Sequence, residues 1–327
     1  LGIKALFKRI IGATPEQANP LPEPQKAEDS PYAKLVAEDV PDENKNKPKV
    51  RDTFVFDGVQ PIAQDTVVLF YPDQSLLLIR HPETGYPARY YEWKSRLAFK
   101  SLPVFGDWTG SGHSVLGLFD VENAAFSLFH DYDEPVASTF FYYGPPGYDW
   151  IPLAGDWDGD GKDGIGLYDP TNGVFMLRNE LIGAPPEMEF AFGPANQGWM
   201  PLVGDWNGDK RDEVAVYNPK TGEFLLSGAL PLADVFLRFD TANMGEDWRP
   251  LAGDWRGFGF DSVGLFDTKS DTFHLLNPLS KQEPEIVFRF GVNGVSGVPF
   301  SIKWTTDLMV APQNDQGTPD GEAADRA

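Results

Sequence analysis

The sequence predicts an all-β fold, a five-bladed β-propeller, from three observations. Trp108, Trp157, Trp206, Trp255 and Trp304 fall at a fixed step of 49 residues. Each interval divides into four short apolar runs punctuated by Gly, Pro, Asn and Asp, the pattern of strands and turns. The repeats end on a lone first strand, Val298 to Trp304, with no blade after it. A fixed self-similar period marks a repeat architecture, and four strands per repeat make each one a propeller blade. The lone C-terminal strand completes the first blade. That gives five blades of 49 residues; a six-bladed ring would need a blade the sequence does not supply.

The register holds in several columns. Pro103, Pro152, Pro201, Pro250 and Pro299 keep the same step, as do Leu69, Leu118, Leu167, Val216 and Leu265. Phe126, Phe175, Phe224 and Phe273 form another column, with Leu77 in the matching earlier place, and Trp150, Trp199 and Trp248 a further one. In the best copy the strands are read as 152–157, 164–168, 174–178 and 189–192. Between the second and third, Asp169-Pro170-Thr171-Asn172-Gly173 is a turn: Pro fixes φ, and Asn-Gly tolerates positive φ. Asn218 to Gly222 repeats that chemistry. The earliest copy is degenerate, with strands read at 66–71 and 75–80, a fourth somewhere in 90–99, and no Gly-Asp-Trp. Residues 53–58 also read as a strand, either added to the rim of a blade or leading in.

The propeller is assigned to 53–310. Ahead of it, residues 1–12 place Ile3, Leu6, Phe7, Ile10 and Ile11 at helical spacing, with Lys4 and Lys8 on another face. This reads as a basic amphipathic docking helix for a protein partner or a membrane surface, although three turns are marginal alone in water. Residues 13–52 are rich in Pro and polar residues, a flexible linker by composition. Residues 311–327 read as a disordered acidic tail.

Composition narrows the function classes. The chain has 327 residues, 41% of them hydrophobic and 13% aromatic, enough for a large core. A formal net charge of -22 argues against nucleic acid, whose phosphates demand Lys and Arg. With no cysteine, disulfides and thiolate metal sites are excluded. No apolar run is long enough to cross a membrane as a helix.

The loop in the best copy reads Gly155-Asp156-Trp157-Asp158-Gly159-Asp160-Gly161-Lys162-Asp163-Gly164. Alternate carboxylates in a tight loop can converge on one hard cation, and Ca²⁺ takes six to eight oxygens. Candidate ligands are Asp156, Asp158, Asp160 and the carbonyl of Lys162. The next loop offers Asp205, Asn207, Asp209 and Glu213, but Lys210 replaces the turn glycine. The flanking loops, Asp107-Thr109-Ser111 and Asp254-Arg256-Phe258, have lost the set. Asp107, Asp156, Asp205 and Asp254 recur even where their neighbours are gone, which favours a structural job such as accepting backbone N–H bonds. Asp163, Asp212 and Asp261 recur likewise. The run Gly-Asp-Trp-Asp-Gly-Asp-Gly-Lys-Asp-Gly-Ile-Gly-Leu-Tyr resembles the FG-GAP or VCBS-type repeat of integrin-like β-propellers. The resemblance implies Ca²⁺ in this loop, as a structural brace, and a bacterial extracellular or cell-envelope setting; the basic N-terminal helix adds peripheral membrane attachment as an alternative.

No catalytic motif stands out. His81, His113, His130 and His274 lack metal spacing, and no nucleophile elbow or phosphate loop is present. Near-identical blades give a repeated surface, which suits binding or scaffolding more than one asymmetric catalytic site. The expectation is a non-enzymatic accessory propeller tethered by its N-terminal arm. Two rivals are a multivalent carbohydrate-binding lectin, with Trp150, Trp199 and Trp248 stacking on sugars, and a glycoside hydrolase using a carboxylate pair. The bland reading of those tryptophans is packing between blades.

Overall fold

A computed structural model describes residues 54–56 and, apart from parts of some connecting loops, 65–303. The expectations for 1–12, 13–52, 311–327 and Trp304 lie outside the described residues. A short strand β1 (Phe54–Phe56) precedes five blades. The first blade contains β2 (Asp65–Tyr71), β3 (Leu76–Arg80) and β4 (Pro87–Glu92). The second is β5 (Ser101–Gly106), β6 (Val115–Asp120), β7 (Ala125–Leu128) and β8 (Thr139–Tyr142). The third is β9 (Ile151–Gly155), β10 (Gly164–Asp169), β11 (Val174–Arg178) and β12 (Met188–Ala191). The fourth is β13 (Met200–Gly204), β14 (Glu213–Asn218), β15 (Glu223–Ser227) and β16 (Val235–Asp240). The fifth is β17 (Trp248–Gly253), β18 (Ser262–Asp267), β19 (Thr272–Leu275) and β20 (Ile286–Val292), and β21 (Val298–Lys303) ends the series.

The ring closes as the repeat arithmetic requires. β21 pairs antiparallel with β2, from Asp65 opposite Lys303 to Phe70 opposite Val298, and becomes the first strand of the first blade. β1 pairs with β20, Phe54 opposite Val292, as a fifth strand on the fifth blade. The 53–58 run is therefore a rim strand. One boundary moves: β4 starts at Pro87, earlier than the 90–99 window. The β3–β4 reversal is short, with Gly85 at φ 75° donating its N–H to the His81 carbonyl, so the chain turns back sooner.

The columns explain themselves in the packing. Pro152 and its copies sit in the first strand of each blade, which has a free edge and can spare an N–H. Each aromatic of the Phe column packs at a tilt against a neighbour in the preceding strand. Phe126 with Phe119, Phe175 with Tyr168, Phe224 with Tyr217 and Phe273 with Phe266 have ring centroids 4.5–4.7 Å apart. All eight are fully buried. Trp108, Trp157, Trp206 and Trp255 are buried as well.

Gly-Asp-Trp repeats because the indole folds back over the glycine. A Cβ on Gly155 would lie 2.8 Å from the Trp157 ring and 2.6 Å from Val203 of the next blade, and Gly106, Gly204 and Gly253 face their own tryptophans in the same way. Gly155→Ala overpacks this contact, so we expect a loss of roughly 1–3 kcal/mol, read as a lower midpoint in thermal or urea unfolding.

Candidate functional site: the loop face and the axial carboxylates

The loops between first and second strands share one face of the ring. Asp156 closes its loop by accepting backbone N–H bonds. Oδ1 takes Gly159 at 2.8 Å and Asp160 at 3.0 Å, and Oδ2 takes Gly161 at 2.8 Å. Asp205 does the same with Gly208, Asp209 and Lys210. Asp107 holds Ser111 and Gly112, and Asp254 holds Phe258 and Gly259. The recurring first aspartate is thus a loop brace, which is why it outlasts its neighbours.

The second recurring aspartate ties one blade to the next. Asp163 Oδ2 accepts the N–H of Asp107 at 2.8 Å, while the Asp163 N–H donates back to the Asp107 carbonyl at 2.9 Å. Asp212 with Asp156, and Asp261 with Asp205, repeat the exchange. Asp65, not anticipated from the sequence, does so with Asp254 across the closure, at 2.8 Å and 3.3 Å. At the fifth junction the roles stay and the residues change: Lys303 stands in the column of Asp107, Asp156, Asp205 and Asp254, Ser114 in that of Asp163, and the Lys303 N–H donates to Ser114 Oγ at 3.1 Å. Both residues sit in the step-49 columns, so a lysine in an aspartate column was the available signal.

Around the axis this leaves Asp65, Asp163, Asp212 and Asp261 close to one another, with Lys303 reaching across. Its Nζ lies 3.6 Å from Asp163 Oδ1. Burial raises the Asp65 carboxyl to about 7, against the Asp254 N–H and Lys303, which pull it down. Burial also lifts Asp163, and lifts Asp212 and Asp261 well above the usual carboxylate range, with repulsion among the ring members adding to it in the latter two. Burial opposes the charge on Lys303, but attraction to Asp163, Asp212, Asp65 and Asp107 overrides it and holds the ammonium above its ordinary value. Above this ring opens a cavity of about 380 Å³, with Lys210 and Phe260 among its walls.

The two expected metal loops differ. Asp156, Asp158 and Asp160 each offer a carboxylate oxygen, all within 4.8 Å of one another, the only such acidic trio among the described residues. Asp158 and Asp160 are exposed, and Asp160 Oδ1 accepts the Lys162 N–H at 2.8 Å. The carboxylates of Asp205, Asp209 and Glu213 do not converge in that way. Asn207 turns its amide nitrogen to Glu213 Oε1 at 2.7 Å, while its Oδ1 accepts the Asp209 N–H. Glu213 is 2% exposed with Oε2 unpartnered, and burial, with Asp209 next, pushes its carboxyl up to about 8. Lys210 holds φ 73° in the place of Gly161, a left-handed conformation that costs a residue with a Cβ.

Trp150 and Trp199 are buried and Trp248 is half-buried against His274, so the first two present no face for sugar stacking. Among the described residues no helix is long and apolar enough to cross a membrane.

No family model matches the chain, and no curated protein does. The FG-GAP or VCBS resemblance therefore rests on the loop residues alone. Solved structures match the chain at low similarity. One is a protein of unknown function from Bacteroides caccae, 11% identical, covering 69% of this chain and 73% of that one, with a TM-score of 0.40. Another is an Agrocybe aegerita lectin described as recognising non-reducing terminal N-acetylglucosamine, 13% identical over 72% of this chain and 65% of the lectin, TM-score 0.39. A third is the Dos1 propeller, 10% identical over 68% and 55%, TM-score 0.31. The chain is a five-bladed β-propeller of four-stranded blades, completed by its C-terminal strand.

Proposed function

We propose that this chain is a non-enzymatic binding propeller, an accessory subunit held to a larger assembly or a membrane surface by its N-terminal arm. One observation carries the non-enzymatic part. The inner carboxylates that a hydrolase would need are each committed to a neighbouring blade through a backbone N–H, in the same geometry at four junctions. A brace repeated in this way supports a scaffold over one asymmetric acid–base pair. The arm part rests on the amphipathic spacing of residues 1–12. It is tested by purifying the full chain and a version lacking 1–12 under native conditions. A partner or membrane fraction that follows only the full chain supports the reading, and identical behaviour of the two sinks the tether.

The FG-GAP or VCBS likeness belongs to the same proposal, with Ca²⁺ bracing the Asp156 loop through Asp156, Asp158, Asp160 and the Lys162 carbonyl. The convergence of three carboxylate oxygens supports it. A ligand that binds only the folded state raises the melting temperature. We expect millimolar Ca²⁺ to raise it over chelator in the native chain and not in Asp158→Asn/Asp160→Asn. Equal melting curves with and without Ca²⁺ would count against the site.

A further inference from the structure

We propose that residues 1–12 of this chain dock on its own propeller, on the face opposite the loops, against the apolar start of the inner strands at Leu102, Ile151 and Val298. The inference rests on the reading of residues 1–12 as a docking helix and names the surface that helix fits.

The inner strand of each blade begins on that face. Leu102, Ile151, Met200, Arg249 and Val298 form one step-49 column there. Each pairs with the second strand at the end away from the loop, as Ile151 does with Tyr168. Two residues further on, Val104, Leu153, Leu202 and Leu251 are buried between blades. The column is the outermost rung of that apolar stack, and it is left part open. Leu102 is 38% exposed and Val298 41%, with Ile151 and Met200 half-buried. The strands of Val298 and Leu102 lie side by side, Phe300 of β21 against Phe105 of β5 at 4.9 Å. Arg249 interrupts the column, which leaves an apolar arc from Val298 through Leu102 and Ile151 to Met200. An exposed apolar patch with polar neighbours marks an interaction site.

Three observations name the occupant. The first is where the arm joins the ring. Phe54 pairs with Val292, at the end of β20 where Phe290 donates its N–H to the Asp271 carbonyl in the β18–β19 turn. That turn lies beside the start of β17, on the face of the arc. Val292 donates its N–H to Tyr71 Oη at 2.9 Å, and a Cβ on Gly297, next to Val298, would lie 3.0 Å from the Tyr71 ring. The chain ahead of Phe54 therefore starts two contacts from the arc. The second is reach. A flexible chain of about 40 residues, the length of 13–53, has a root-mean-square span of about 35 Å. Four strands about 4.8 Å apart put the rim only about 15 Å from the inner strand. Such a tether holds its tip at a local concentration on the order of millimolar. The third is chemistry. Ile3, Leu6, Phe7, Ile10 and Ile11 make an apolar stripe that can lie along the arc. The charged side chains of the segment, Lys4, Lys8 and Arg9, are all positive, in a chain of net charge -22. Asp149, exposed and two residues before Ile151, stands where they would pass. Docked there, the arm keeps its apolar stripe from water until a partner or a membrane takes it.

The chain has no cysteine, so disulfide trapping reads the contact directly. The full chain carrying Leu6→Cys/Leu102→Cys is oxidised when dilute, beside Leu6→Cys/Thr171→Cys, whose second position is an exposed turn residue on the same face. The intrachain disulfide should form roughly tenfold faster with Leu102 than with Thr171. Adding Ile3→Asp/Ile10→Asp, changes confined to the arm, should slow it to the Thr171 rate. Leu6→Cys/Val298→Cys repeats the measurement should Leu102→Cys fail to fold. Equal rates at the two positions, or a rate that the arm substitutions leave unchanged, overturn the proposal. So does a disulfide formed only between chains, which assigns the surface to the arm of a second copy. Selective trapping in a chain whose arm brings down no partner or membrane fraction sinks the tether and leaves this contact standing. A partner that follows the arm without selective trapping does the reverse.

Discussion

Deleting residues 298–327 should abolish cooperative folding. The deletion removes β21, and with it six residue pairings to β2. It also removes Ile302, 1% exposed, and Phe300, whose ring centroid is 4.9 Å from Phe105 of the second blade. The first blade would expose the inner edge of β2, whose seven residues are all buried in the intact ring. Truncating a single buried aliphatic residue typically costs about 2–5 kcal/mol, and whole domains are stable by only about 5–15. Losing Ile302 and Phe300 together with all six pairings to β2 therefore exceeds the margin. The measurement is far-UV circular dichroism and thermal unfolding of the truncated chain, with Ile302→Ala alongside. The single substitution should keep a cooperative transition and lower its midpoint. A truncated chain that still unfolds cooperatively at the parent's midpoint would show that the first blade stands without β21.

This closure was legible from one fact, that Val298 to Trp304 repeats a first strand with nothing after it. The blades were legible because glycine, proline and tryptophan recur for reasons of local packing, such as the indole of Trp157 lying over Gly155. The weak spots were those without such punctuation. β4 starts earlier than its expected window, since the Asp-Pro-x-Asn-Gly turn joins second to third strands and gives no guide to the turn at Gly85, between third and fourth. The axial ring was legible only in part. Asp163, Asp212 and Asp261 stood out as a column, but their partners lie 56 residues away on another blade, a distance no local pattern encodes. Asp65 went unread because its copy lacks Gly-Asp-Trp, although it is one step of 49 from Ser114 and two from Asp163. Lys303 is hidden for the opposite reason: it lies within the lone first strand, and its signal is the change of charge within the column of Asp107, Asp156, Asp205 and Asp254. The Asp205 loop shows the limit of counting ligands. Its residue types fit a cation site, but the amide nitrogen of Asn207 turns to Glu213.

The ring carboxylates make a second large effect, a fall in stability as pH rises through neutrality. The sign follows from linkage. Asp65 has its carboxyl raised by burial from 3.8 to about 7, so the folded chain holds this proton more tightly than the unfolded chain does. That stabilisation is complete below about pH 3.8 and is lost progressively up to about 7. Each pH unit over which the folded chain keeps a proton that the unfolded chain has lost is worth about 1.4 kcal/mol, so the ring as a whole loses stability between pH 5 and neutrality. Asp163, Asp212 and Asp261 are raised too, and Glu213 to about 8, so they act in the same direction. Lys303 opposes them by favouring the charged carboxylates, but one ammonium cannot neutralise four. The expected result is a melting temperature several degrees higher near pH 5 than near pH 8. Asp65→Asn keeps an oxygen for the Asp254 N–H and carries no charge, so it should gain most at pH 8 and little at pH 5. Thermal unfolding of both proteins at the two pH values decides it. A variant that loses as much at pH 8 as at pH 5 would mean that the Asp65 charge supports the junction, with Lys303 as its effective partner. A parent protein more stable at pH 8 would mean that the inner carboxylates ionise together at little cost, which requires more positive charge on the axis than Lys303 alone supplies.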